Sequence, residues 1–170
     1  MATIGGTAIG NFFVSDVLPV LAAFQADIEY FRDGRKAAMP LVTWLKHKPG
    51  LICATIIKHT HRTVLFRQEK IAQMDFPLIV TALGVDLSGG KMAEPVIAIS
   101  GAIGKLIVSE SGSASLSGKS PSEATFEELN AAVQQDVEPT GNVKATPRVK
   151  RRVIESHLKA ILAELQKEGA

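Results

Sequence analysis

The chain has 170 residues, enough for one domain or two small ones, and 46% of them are hydrophobic, which sets it apart from disordered sequences. Its 19 basic and 17 acidic side chains leave a net charge of +2, too even a balance to attract a nucleic acid or a membrane surface by its field. With 5% aromatics and a single cysteine, Cys53, it has neither the stacking platforms of a single-strand binder nor the thiols for an internal disulfide or an iron–sulfur site. No cationic leader and no apolar span of about 20 residues is recognisable, so the expectation is a cytoplasmic protein without a membrane partner.

The chain opens on Thr3-Ile4-Gly5-Gly6-Thr7-Ala8-Ile9-Gly10, followed by Ser15-Asp16 and Pro19. The glycines predict a turn with positive φ and close backbone approach to a ligand. The apolar run over residues 14–24 predicts a helix capped by Ser15 or Asp16. Turn amides and a helix N-terminus favour an anion such as a pyrophosphate, and Asp16 is suited to accept ribose hydroxyls. The same residues also fit a plain Gly-rich turn ahead of a buried helix, since no strand precedes them.

Asp33-Gly34 between residues 28–32 and 35–38 predicts a hairpin, and residues 40–45 a short helical turn with Pro40 in first position. A polar loop at 46–50 leads into residues 51–58, whose β-branched content predicts a buried strand. His59-Thr60-His61-Arg62 places two histidines on one face of an extended segment, compatible with a metal, but basic neighbours make it a solvated linker and a domain boundary.

Strands are expected at 64–71, at 78–87 (central in a sheet) and at 95–101, with Ser88-Gly89-Gly90-Lys91 as the hairpin turn between the last two. Residues 107–116 give a mixed signal, and Gly118-Lys119-Ser120-Pro121 is a break. Thr125 with Glu128 predicts a capping box, with Phe126, Leu129 and Val133 as the buried stripe behind it. The last helix starts at Thr146-Pro147 and carries Val149, Val153, Ile154, Leu158, Ile161 and Leu165 on one face, with Lys150, Arg151 and Arg152 on a solvated one. No G-x-S-x-G, no Walker loop and no carboxylate pair appears, so no residue is assigned as catalytic and none as a metal ligand.

This order of pieces resembles the FAD-binding medium subunits of molybdenum hydroxylases, the xanthine dehydrogenase and carbon monoxide dehydrogenase type. The opening loop with Asp16 and Pro19 is similar to that family's second pyrophosphate loop. The likeness continues through the Asp33-Gly34 hairpin, residues 51–58, Phe66-Arg67 and Asp75, Gly118-Lys119, Ala124-Thr125 and the final Arg-rich helix. It implies an α+β fold: a partial, second FAD-binding subdomain over residues 1–60, then a C-terminal domain over 61–170 with a three-stranded antiparallel sheet and about three helices.

Carried over by position, Thr3, Gly5, Gly6 and Thr7 would meet the pyrophosphate, Asp16 the adenosine ribose, Ile52 the isoalloxazine ring, and Arg67 the flavin edge. Thr7 stands where the family usually has Asn, and an Arg-Arg pair often found there is absent at Ile71-Ala72. The chain starts at the second loop, so the first FAD subdomain is expected to be missing. Charge-assisted phosphate hydrogen bonds contribute roughly 1.5–3 kcal/mol each, so half a clamp predicts weak or absent FAD binding by the isolated chain.

The resemblance thus implies a flavoprotein subunit, or part of one, that holds FAD for electron transfer from iron–sulfur clusters to an acceptor. Such a chain, part of an FAD-dependent oxidoreductase complex, is not expected to be active alone. Its partners would be iron–sulfur and molybdenum subunits and a chain or segment supplying the first subdomain. The alternative is a non-catalytic docking or structural module of such a complex that no longer binds FAD. Apolar surface left by the absent subdomain predicts self-association.

Overall fold

The computed structural model describes residues 3–10, 14–58 and 61–168. Two short helices, α1 (Ile4–Ile9) and α2 (Val17–Ala23), precede the hairpin β1 (Asp27–Arg32) and β2 (Arg35–Pro40), then α3 (Leu41–His47) and β3 (Leu51–Ile56). A second run of strands follows: β4 (Thr63–Glu69), β5 (Ile79–Ser88), β6 (Lys91–Ser100) and β7 (Ile107–Ser109). Helices α4 (Glu110–Leu116), α5 (Phe126–Asp136) and α6 (Pro147–Glu168) complete the chain. The sheets are antiparallel, ordered β2-β1-β3 and β4-β5-β6-β7. The fold is α+β as expected, and the expected three-stranded sheet carries a fourth, three-residue strand at one edge.

Asp33 (φ 51°) and Gly34 (φ 76°) form the tight turn that joins β1 to β2, with Arg32 paired to Arg35 across it. Residues of this kind accept a left-handed backbone, and two in succession match the twist of the flanking strands. The β5–β6 hairpin turns in the same way at Gly89 and Gly90, both with positive φ.

β5 is central, and Ile79 through Val85 are buried without a break. An unbroken apolar run is what a strand covered on both faces requires. One face meets α6, and the other meets α2. The main core gathers Ile79, Leu83, Val85, Met92, Ile97 and Ile99 of the sheet with Leu129, Val133, Leu158, Ile161 and Leu165 of the helices. A smaller core joins Leu18, Leu21, Ile28, Leu41 and Trp44, and reaches Ala98 of β6 through α2.

The seam between α2 and the second sheet shows why residue 62 is not part of a solvated linker. Arg62 is 7% exposed. Its Nε donates to Ala23 O at 2.6 Å, closing the C-terminus of α2, and its other nitrogens donate to Gly84 O, Glu94 O and Asp86 Oδ2. A cation at a helix C-terminus is favourable, and here it also satisfies sheet carbonyls that the β5–β6 bulge leaves open. Gly84 permits the approach, because a Cβ there would lie 2.0 Å from Ala23 O. His59 and Thr60 lie outside the described residues.

Other expectations need correction. Residues 51–58 do not form a buried strand. β3 ends at Ile56 and is an edge strand, with Leu51 67% and Ile56 38% exposed, because only β1 pairs with it. Lys150 does not sit on a solvated face. It is 2% exposed and points its ammonium at the carbonyls of Gly101 and Ala102. Val149 is exposed, and the stripe of α6 passes instead through Ile154, Leu158, Ile161, Leu162 and Leu165. Thr125 accepts from Glu128 N as expected, but the reciprocal capping box is at Ser120 and Glu123, while the Glu128 carboxylate pairs with Lys119.

Candidate functional site

The Gly-rich opening is a helix, not a positive-φ turn. Thr3 supplies the reason: its Oγ1 accepts from Gly6 N at 3.0 Å, and its carbonyl accepts from the Thr7 amide and the Thr7 hydroxyl. A threonine cap of this kind offsets the poor helix propensity of two glycines in the first turn. Gly5 and Gly6 therefore have ordinary helical backbones, and Gly10 has φ −66°. Ser15, not Asp16, caps α2. Its Oγ accepts from Val17 N and Leu18 N, while its own amide donates to Ser100 Oγ at 2.8 Å.

α1 lies against β3. A Cβ on Gly5 would come 3.9 Å from Ile52 Cγ2, which brings Gly5 and Ile52 together, while Thr3 holds Gly6 and Thr7 within α1. Lys48 ties the other end of α1 to the same region, its Nζ donating to Ile9 O at 3.0 Å. Its left-handed backbone (φ 44°) closes α3 and aims the chain into β3. The first-turn amides of Ile4 and Gly5 have no acceptor within the helix. Asp16 is exposed at the start of α2, and its carboxylate makes no hydrogen bond to the described residues.

Arg67 stands apart from these residues. It lies on β4, where its guanidinium pairs with Glu164 of α6 and donates to Phe66 O at 2.8 Å. None of its hydrogen bonds goes to the other six candidate residues. Below it, His157 is 6% exposed and its Nδ1 faces Thr81 Oγ1 at 3.2 Å. Burial, with a smaller push from Arg67, lowers its pKa to about 4, so the ring is neutral near pH 7.

Lys48 and His157 escaped the sequence reading, and Arg62 and Lys150 were read as solvated, because each pairs with backbone or with a residue far along the chain. The histidine on the apolar face of α6, one position before Leu158, was the one visible sign. Elsewhere, Asp75 is held below the usual carboxylate range by its hydrogen bond to Lys144. Burial raises Asp136, but the hydroxyls of Ser109 and Ser111 and nearby amides outweigh it and hold it low. Among the described residues no helix is long and apolar enough to cross a membrane.

The family model for the CO dehydrogenase flavoprotein C-terminal domain matches residues 64–165, from β4 into α6. No curated protein sequence matches the chain. Among solved structures, quinoline 2-oxidoreductase from Pseudomonas putida 86 superposes with a TM-score of 0.83 at 14% identity, over 99% of this chain and 61% of that one. The cyanide-inactivated form of the Cu,Mo-CO dehydrogenase gives 0.81 at 17% identity, over 100% and 62%. The carbon monoxide dehydrogenase from Hydrogenophaga pseudoflava that lacks the Mo-pyranopterin moiety of its cofactor gives 0.83 at 16%, over 95% and 60%. At such identities the likeness is one of fold, and this chain spans about three fifths of their length. The family match takes in more than half of the chain, which belongs to the CO dehydrogenase flavoprotein C-terminal domain family.

Proposed function

We propose that this chain provides one side of an FAD clamp in the flavoprotein subunit of a molybdenum hydroxylase. The supporting observation is Gly5. Its backbone does not need glycine, and among the described residues a methyl group there would meet Ile52 in ordinary contact. A glycine inside a helix costs roughly 0.5–1 kcal/mol relative to alanine, so the fold alone gives no reason for it. A phosphate approaching the Ile4 and Gly5 amides does.

In this reading Thr3, Gly5, Gly6 and Thr7 face the pyrophosphate, and the Asp16 carboxylate accepts from ribose hydroxyls. Ile52 packs on the isoalloxazine, and Arg67, oriented by Glu164, sets the charge at the flavin edge. The bound flavin supplies the redox chemistry, taking electrons from iron–sulfur clusters and passing them to an acceptor. The opposite side of the clamp comes from a first FAD subdomain in another chain or segment. Iron–sulfur and molybdenum subunits are the further partners, in the cytoplasm. We divide the chain into an FAD-facing part over 1–60 and a C-terminal domain over 61–170, a division supported by the two sheets.

The test is a titration with FAD of the chain alone and of the chain mixed with one supplying the first subdomain. Weak or no binding alone and firm binding by the pair are expected. Gly5→Ala should weaken FAD binding by the pair about tenfold or more, the loss of one charge-assisted hydrogen bond, without lowering the melting temperature. No binding by the pair, or unchanged affinity in Gly5→Ala, overturns the reading. A docking module without FAD is favoured by one observation, the engagement of Arg67 by Glu164. Colourless protein that still co-purifies with iron–sulfur or molybdenum subunits would establish that alternative.

A further inference from the structure

Between the start of β5 and the start of α6 the surface folds in on a cavity of about 570 Å³, walled by Val14, Phe76, Leu78, Ile103 and Val143. Its size falls within the range of small-molecule sites, roughly 300–1,000 Å³. None of the seven residues assigned to FAD lines it.

Two charged side chains reach its wall, Lys144 and Lys150, and their situations differ. Lys144 Nζ lies 2.5 Å from Asp75 Oδ1, so its charge is answered. Lys150 is buried, and its Nζ donates to Gly101 O at 2.8 Å and to Ala102 O at 3.4 Å. No carboxylate among the described residues pairs with it. An ammonium carries three donors, and carbonyl oxygens solvate the charge without neutralising it. Buried lysines almost always come with an anion, because an unpaired charge away from water is costly. Burial alone holds this ammonium below its ordinary range.

We propose that the cavity binds an apolar carboxylate, a small aromatic or aliphatic acid whose carboxylate meets Lys150 and whose hydrocarbon body packs between Phe76, Leu78 and Ile103. One unanswered positive charge among apolar walls matches a singly charged headgroup. Gly101, whose carbonyl accepts from the Lys150 ammonium, lines the cavity together with Lys150.

The experiment is calorimetry of the full chain with 2-naphthoate and with its neutral counterpart 2-naphthamide, alongside methyl NMR. The acid should bind about tenfold or more tighter than the amide, the difference expected of a charge-assisted contact in a partly buried site. Lys150→Met should abolish that preference and leave the amide unchanged. Lys144→Met, which removes a cation already paired, should retain it. Methyl shifts in the unsubstituted chain should centre on Val14, Leu78, Ile103 and Val143, a readout that holds even if Lys150→Met does not fold. Equal affinity for the two probes, no binding of either at millimolar concentration, a preference that survives Lys150→Met, or shifts centred on the β3 edge would each overturn the proposal.

Discussion

The two sheets of this molecule meet different fates. In the second, β4 to β7, the central strand is covered on both faces, by α6 on one side of β5 and by α2 on the other. The first, β2-β1-β3, is half clothed. Its inner residue Ile28 reaches the smaller core with Trp44 of α3, yet Phe31, Leu51 and Ile56 stand exposed. A strand of such composition left open at an edge is a surface that natural proteins ordinarily cover. Of the residues proposed for FAD, Thr3, Gly5, Gly6, Thr7 and Ile52 lie on α1 and β3 beside this open sheet, Asp16 stands at the start of α2, and Arg67 lies on β4.

If that contrast holds, truncation should be costly in one sheet's core and nearly free on the other's edge. Leu158→Ala should destabilise the chain by about 3 kcal/mol, within the 2–5 kcal/mol typical of such cavities, in a urea titration. Leu51→Ala should change it by less than about 0.5 kcal/mol. Comparable losses in the two variants would erase the contrast.

The covered sheet also holds a pH response. His157 is neutral in the fold, with a pKa of about 4 against an ordinary value near 6.5. The unfolded chain therefore binds the extra proton first, and stability that is complete above pH ~6.5 falls as the pH drops towards 4. The facing groups are Thr81, Arg67 and, through Arg67, Glu164. The loss should be on the order of 2 kcal/mol over that window, and His157→Gln should flatten it. A wild-type curve already flat from pH 6.5 to 4 would contradict the burial of a neutral ring. A smaller effect belongs to the open part. Thr3→Ala should cost about 1 kcal/mol or less, read as faster hydrogen exchange at Gly6 and Thr7 with the amides of β5 unchanged.

What the sequence made legible follows the same division. The Asp33-Gly34 hairpin, the central strand and the long last helix were readable because turn chemistry and periodicity are local. Ser109 to Leu116 was opaque because it changes from strand to helix within a few residues, and its serines serve as caps and ties to Asp136. Apolar content suggested burial for residues 51–58, but burial depends on neighbours, and β3 has only one. Basic character suggested solvent for Arg62 and Lys150, whereas their carbonyl partners come from α2, β5, β6 and the turn after β6. The segment around Gly5 was legible in its residues and wrong in its conformation, since a threonine cap made a helix where three glycines implied a turn.

The central claim is that α1, Asp16 and β3 form one side of an FAD clamp. Hydrogen exchange on the chain paired with a first-subdomain chain, with and without FAD, tests it most directly. The account predicts FAD-dependent protection at residues 4–7 and 51–56, with the amides of β5 and α6 unchanged. FAD-dependent protection that avoids those segments, or none at all in a pair that binds FAD, would contradict it.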